Sequence, residues 1–201
     1  MLSVGTDEAG QREILGLHTA LSETEEAWKS FLEQLSKRGL SGVAHVTSDA
    51  HEGLREAIQE QLLGSIWTHC HAHFRRNVLD KTPEACFEAM QAVLDEVLGA
   101  DSQPEAFEAL EEVLDGERTR IVETSDGETV DTYEQLREAG GSALNAFEEG
   151  LEGATAVLAL PGKYRRRLRT TNMIERLIEE LRRRETVARI FPNIDSAWRP
   201  P

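Results

Sequence analysis

Cysteine is nearly missing from this chain of 201 residues, with Cys70 and Cys86 the only two. Two thiols are too few for a disulfide framework and too few for a zinc site made of thiolates alone. Long apolar runs are missing as well, so no segment reads as a membrane span. The opening MLSVGTDEAG has neither the basic region nor the apolar stretch of a signal peptide. A cytoplasmic protein with no membrane partner is the expectation. Lysine is scarce, four residues against eighteen arginines. No internal repeat or low-complexity segment is present.

Positive charge is outweighed overall: the formal net charge is −15, which argues against a uniformly nucleic-acid-binding surface. Its distribution says more than its sum. Residues 84–152 hold most of the acid and almost no base, whereas residues 163–189 are dominated by arginine. Abundant acid with little lysine fits a protein kept soluble by a charged shell at high salt, so a halophilic source is expected.

What is there suffices for a core, since 39% of residues are apolar. Residues 2–20 predict a hairpin turning through Asp7 to Gly10. A helix over 22–37 follows, with Ser22 as its cap and Trp28, Phe31, Leu32 and Leu35 on one side. The short β-branched run 42–48 predicts a strand that ends at Asp49, and a second helix covers about 50–63. From Thr82 onward the pattern is helical. Phe87, Met90, Val93, Leu94 and Val97 line one face, Phe107, Leu110, Val113 and Leu114 a second, and Leu144, Phe147 and Leu151 a third. The polar stretch 120–131 reads as a turn or long loop. The order strand, strand, helix, strand, helix is that of an α/β layer fold with a mixed sheet. By texture the chain divides into residues 1–80, an acidic helical block 81–160, and a returning helix with a tail, 161–201.

Two carboxylates stand out. Glu175 lies in LRTTNMIERLIEELRRR, residues 168–184, beside an apolar stripe of Ile174, Leu177, Ile178 and Leu181. It can be held rigidly next to a core and still reach solvent or a metal. Asn172 followed by Glu175 is also a capping box, a purely structural alternative. Asp49 sits past the carboxyl end of a strand, where sites of α/β sheets gather. Asp49 with Glu52 makes a capping box too. Cys70 and His73 are one helical turn apart and could supply half of a zinc site. No other half is visible, so packing roles are favoured for them.

Three segments taken together resemble the Mutator-type transposases of insertion sequences: SDAHEGL at 48–54, CHAHFRRN at 70–77, and RTTNMIERL at 169–177 followed by RIFPN at 189–193. The resemblance covers nearly the whole chain. It implies an incomplete ribonuclease H-like mixed sheet with a large all-helical insertion before the last catalytic helix. It also implies metal-dependent DNA cleavage and strand transfer by an Asp-Asp-Glu triad. Carried over by motif, Asp49 is the second acid and Glu175 the third, both as ligands of Mg²⁺ or Mn²⁺. Cys70, His73 and Asn172 belong to the matching motifs. Arg169, Arg176, Arg182, Arg183 and Arg184 would contact the phosphates of terminal-repeat and target DNA, and a homo-oligomer or a full-length transposase is an implied partner.

Departures from the family pattern shape the expectation. The first acid belongs on a strand upstream of the hairpin, and Asp7 falls in the hairpin turn instead. The apolar helical sequence usual after the IFPN element is replaced by AWRPP, and Ile178 stands where asparagine is usual after ERL. The resemblance therefore implies a copy truncated at both ends, with little or no cleavage by itself. The alternative is a non-catalytic regulator that binds DNA or an intact transposase.

Overall fold

The computed structural model describes residues 1–19, 22, 24–123 and 126–188. The turn expected at 189–193 and the tail after it lie outside the described residues. Contacts divide the chain into two compact units. Among the described residues, one comprises the stretches within 1–44, 51–65 and 171–188, the other those within 45–50 and 66–170.

The first unit opens with β1 (Leu2–Thr6) and β2 (Arg12–Leu17), an antiparallel hairpin with a register shift between Ser3 and Val4. Helix α1 (Glu25–Lys37) follows, and its cap is Thr24, whose hydroxyl accepts from the Ala27 amide at 3.3 Å, not Ser22. Entering two residues later places Glu25 and Glu26 in the first turn, where acid offsets the positive end of the helix dipole. Phe31, Leu32 and Leu35 of α1 are buried with Leu54, Ala57 and Ile58 of α2 (Glu52–Gln61). The Lys29 ammonium lies 2.5 Å from both Glu25 and Glu60 and ties the two helices together. Helix α9 (Asn172–Ala188) completes the unit. Arg12 of β2 reaches Met173 Sδ of that helix at 3.3 Å.

The second unit contains a strand that periodicity did not expose. β3 (His45–Ser48) pairs in parallel with β4 (Ile66–His69), from His45 opposite Ile66 to Ser48 opposite His69. Helix α3 (His71–Leu79) leads into α4 (Phe87–Gly99) and α5 (Gln103–Leu114). A short hairpin, β5 (Ile121–Glu123) and β6 (Thr129–Asp131), occupies the stretch that reads as a loop. Then come α6 (Thr132–Ala139), α7 (Gly141–Thr155) and α8 (Gly162–Leu168). Phe74, Met90, Leu94, Leu110, Leu136 and Phe147 are among the fully buried side chains. Phe87, expected in this core, is 38% exposed at the first residue of α4.

A mixed α/β class is thus observed, mostly helical. Among the described residues the strands form three separate pairs, β1-β2, β3-β4 and β5-β6, and not one mixed sheet. The helical block is interrupted by the β5-β6 hairpin and is not all-helical.

Candidate functional site

Asp49 follows the last residue of β3 and is exposed. Its backbone is tightly held. The Ser48 hydroxyl donates to the Asp49 carbonyl at 2.7 Å and accepts from the Trp67 indole at 2.9 Å, while the Ser48 carbonyl accepts from the Cys70 amide at 2.7 Å. The capping role open to Asp49 is filled by another residue: α2 is capped by His51, whose Nδ1 accepts from the Leu54 amide at 3.3 Å. A carboxylate on a fixed backbone is left facing water, just past the carboxyl end of a parallel strand.

Cys70 and His73 lie beside that strand end. Cys70 comes directly after β4, as Asp49 comes after β3, and its thiol is fully buried at the start of α3. His73 is half-buried one turn further on. Between them His71 is buried, its Nε2 2.8 Å from the Ala154 carbonyl. Burial holds its pKa down to about 4, so the ring is neutral and donates from Nε2. Among the described residues no group of three or more His, Cys, Asp and Glu is placed to hold a metal ion.

Glu175 belongs to the other unit. Its amide and that of Ile174 both donate to the Thr171 carbonyl, at 3.1 and 2.7 Å, so Thr171 is the entry residue of α9 and Asn172 its first helical residue. The Asn172–Glu175 capping box is therefore not formed. The half-buried Glu175 carboxylate accepts from the Thr171 hydroxyl at 3.3 Å. The first turn of α9 and the Thr171 hydroxyl help orient this acid. Asp7 is committed elsewhere: its carboxylate accepts from the Gln11 amide at 2.7 Å, inside the β1–β2 turn.

The arginines fall into two groups. Arg169, Arg176 and Arg182 are exposed. Arg183 and Arg184 share Glu180, with Arg183 donating at 2.8 and 2.9 Å and Arg184 at 2.7 Å. Those two guanidiniums pull the Glu180 carboxyl down to about 2. In the run before α9, Arg165 is structural, donating to the carbonyls of Leu160 and Asp101 at 2.7 Å each.

The family model for "Transposase, Mutator family" matches residues 1–200. The chain belongs to the Mutator family of transposases. It is 34% identical over 203 residues to the transposase of insertion sequence element ISRM5 from Rhizobium meliloti, covering 99% of this chain and 45% of that relative. It is 34% identical over 198 residues to the transposase of IS256 in transposon Tn4001 from Staphylococcus aureus, covering 98% and 46%. With the transposase of IS406 from Burkholderia multivorans it shares 35% over 199 residues, covering 99% and 47%. The Mutator chain thus spans about half the length of the curated relatives it matches. None of these three sources lends support to the expected high-salt origin. No helix among the described residues of this transposase chain is long and apolar enough to cross a membrane.

Among the side chains that hold the acids, Thr47 and Trp67 fall outside the matching segments, while Ser48 and Thr171 lie within them. Thr47, Ser48 and Trp67 pin the β3 end, and Thr171 orients Glu175. Nothing in the spacing marks Thr47 or Trp67, because each acts through a contact distant in sequence.

Proposed function

We propose that this chain carries two acids of a metal-dependent phosphodiester centre, Asp49 and Glu175, on a ribonuclease H-like scaffold, and serves DNA cleavage and strand transfer in transposition. The observation that carries the reading is the state of Asp49, an exposed carboxylate on a pinned backbone past a parallel strand end, released from capping by His51. Both groups are hard oxygen donors. Mg²⁺ favours such donors and is commonly held by one or two carboxylates plus water and substrate phosphate, so the pair fits that ion. When bound, the ion supplies activation of a water or 3′-hydroxyl and stabilises the leaving oxygen. Asp49 and Glu175 would hold it, and Arg169, Arg176 and Arg182 would position the phosphates beside it. A homo-oligomer or an intact transposase would be the protein partner.

With Asp7 taken up by its turn, two acids are expected to hold the ion weakly and to give little strand transfer by themselves. Titration with Mn²⁺, followed by its paramagnetic resonance signal, tests the reading. The expected result is one weak site that Asp49→Asn and Glu175→Gln each reduce by at least about tenfold, with helical content unchanged. Unaltered Mn²⁺ binding in both variants would overturn it. Robust strand transfer by the chain alone, abolished by Glu175→Gln, would leave the two acids in place and refute only their weakness.

A further inference from the structure

One residue of β3 makes a bond that its neighbours do not. The Thr47 hydroxyl donates to the carbonyl of Leu168, the last residue of α8 and 121 positions away in sequence. The next carbonyl, that of Arg169, accepts from the amide of His71 at 2.9 Å. Two consecutive peptide groups are therefore gripped, one by the strand that ends at Asp49 and one by the first residue of α3. Thr68 of β4 provides the contrast. It is the register partner of Thr47 and fully buried, yet among the described residues its hydroxyl has no hydrogen-bond partner. A threonine at this level of the sheet is thus tolerated without a bond, and the Thr47 bond is a specific attachment.

The gripped residues precede the acid-bearing helix. After Arg169 come Thr170 and Thr171, then α9 with Glu175 in its first turn. We propose that Thr47 is a positioning residue: its hydroxyl, with the His71 amide, fixes the point from which the chain departs toward Glu175 to the same strand end that presents Asp49. The proposal rests on the reading of Asp49 and Glu175 as metal ligands. It assigns to Thr47 no contact with metal or DNA. Its effect passes through the backbone of Leu168 and Arg169, which leads through Thr170 and Thr171 into the helix turn that carries Glu175.

Mn²⁺ binding and amide hydrogen exchange, measured on the full chain, test this. Thr47→Val keeps the branched shape and removes only the donor. It is expected to weaken Mn²⁺ binding by about tenfold and to speed exchange at residues 169–171, while far-ultraviolet circular dichroism is unchanged. Thr47→Ser restores the hydroxyl and is expected to bind within about twofold of wild type. Thr68→Val, which deletes the unbonded hydroxyl, is expected to change neither readout. If Asp49→Asn and Glu175→Gln weaken Mn²⁺ binding but Thr47→Val does not, the positioning role is wrong and the two-acid reading stands. If neither acid variant matters, the two-acid reading falls and the role of Thr47 falls with it. A Thr47→Val chain that loses helical content, with Thr47→Ser equally impaired in Mn²⁺ binding, would also overturn the proposal, since the hydroxyl alone would then not account for the effect.

Discussion

Glu180 stands between the basic end of α9 and any phosphate. Its carboxylate takes three hydrogen bonds from Arg183 and Arg184, and both guanidiniums are otherwise exposed. A phosphate would compete with that carboxylate for the same donors, and exposed pairs of this kind are individually weak. Glu180→Gln removes the competing charge and keeps the shape. It is therefore expected to raise the affinity of the chain for duplex DNA at low salt and to steepen the fall of log affinity with log salt by about one to two. Filter binding across a salt series checks this, and an unchanged slope would show that Arg183 and Arg184 do not face the DNA. At Asp49 and Glu175 the legible part was the residue type and its place near an element end. Which residue caps which helix was not legible. Spacing offered Asp49 as a cap and, among the entry residues Thr170, Thr171 and Asn172, a capping box on Asn172, yet His51 and Thr171 occupy those places, because the choice depends on where the backbone first turns helical and not on which polar side chain comes first.

Among the elements, α7 packs closely against α3. A Cβ added at Gly150 would lie 2.5 Å from Phe74 Cε2, and Phe74 is itself wedged edge-on between Phe147 and His69 with ring centroids 5.4 and 5.5 Å away. Phe74 is 1% exposed and has no room to withdraw. Gly150→Ala gains about 1 kcal/mol of helix propensity and incurs an overpacking cost of about 1–3 kcal/mol. A net loss of up to about 2 kcal/mol is expected, seen as a lower Tm. Gly99, near which an added Cβ meets nothing within 4 Å, is the control, and its alanine variant should not lose stability. The same packing explains what the sequence hid in this region. The helices α4 to α7 were legible because their apolar residues recur at helical spacing and are buried. β4 was not, since Ile66–His69 is four residues of mixed polarity whose identity as a strand comes from pairing with β3. The β5–β6 hairpin was hidden for a related reason: Ile121 is 61% exposed, so no alternation betrays a buried face.

Over the whole molecule, charge is partitioned between neighbouring stretches of one chain. Residues 84–152 carry twenty acidic residues and three arginines. All of that stretch belongs to the second unit, so its repulsion is concentrated there. A few internal pairs relieve it, notably Arg118 with Glu96 and with Glu112. Screening shortens the reach of such repulsion to about 3 Å at 1 M salt, against about 10 Å at 0.1 M. Thermal unfolding is accordingly expected to shift upward by several degrees between those conditions, with the second unit gaining most. Calorimetry at the two salt concentrations reads the shift directly; a Tm that falls with salt would mean that attractive pairs outweigh the repulsion.

Neither unit is continuous in sequence, and that bears on how the chain folds as it is made. The first unit needs residues 1–44 together with the chain from 171 onward, and the second interrupts it with residues 45–50 and 66–170. At roughly 5–20 residues per second, the hairpin and α1 wait about 6–25 s after emerging before α9 is synthesised. During that interval the second unit can close its own core, because all of its parts precede Thr171. Synthesis thus favours one order of events, with the helical block assembling first and the hairpin held open for its last helix. Slowing translation late in the message would prolong the stage at which β1, β2 and α1 are exposed to chaperones.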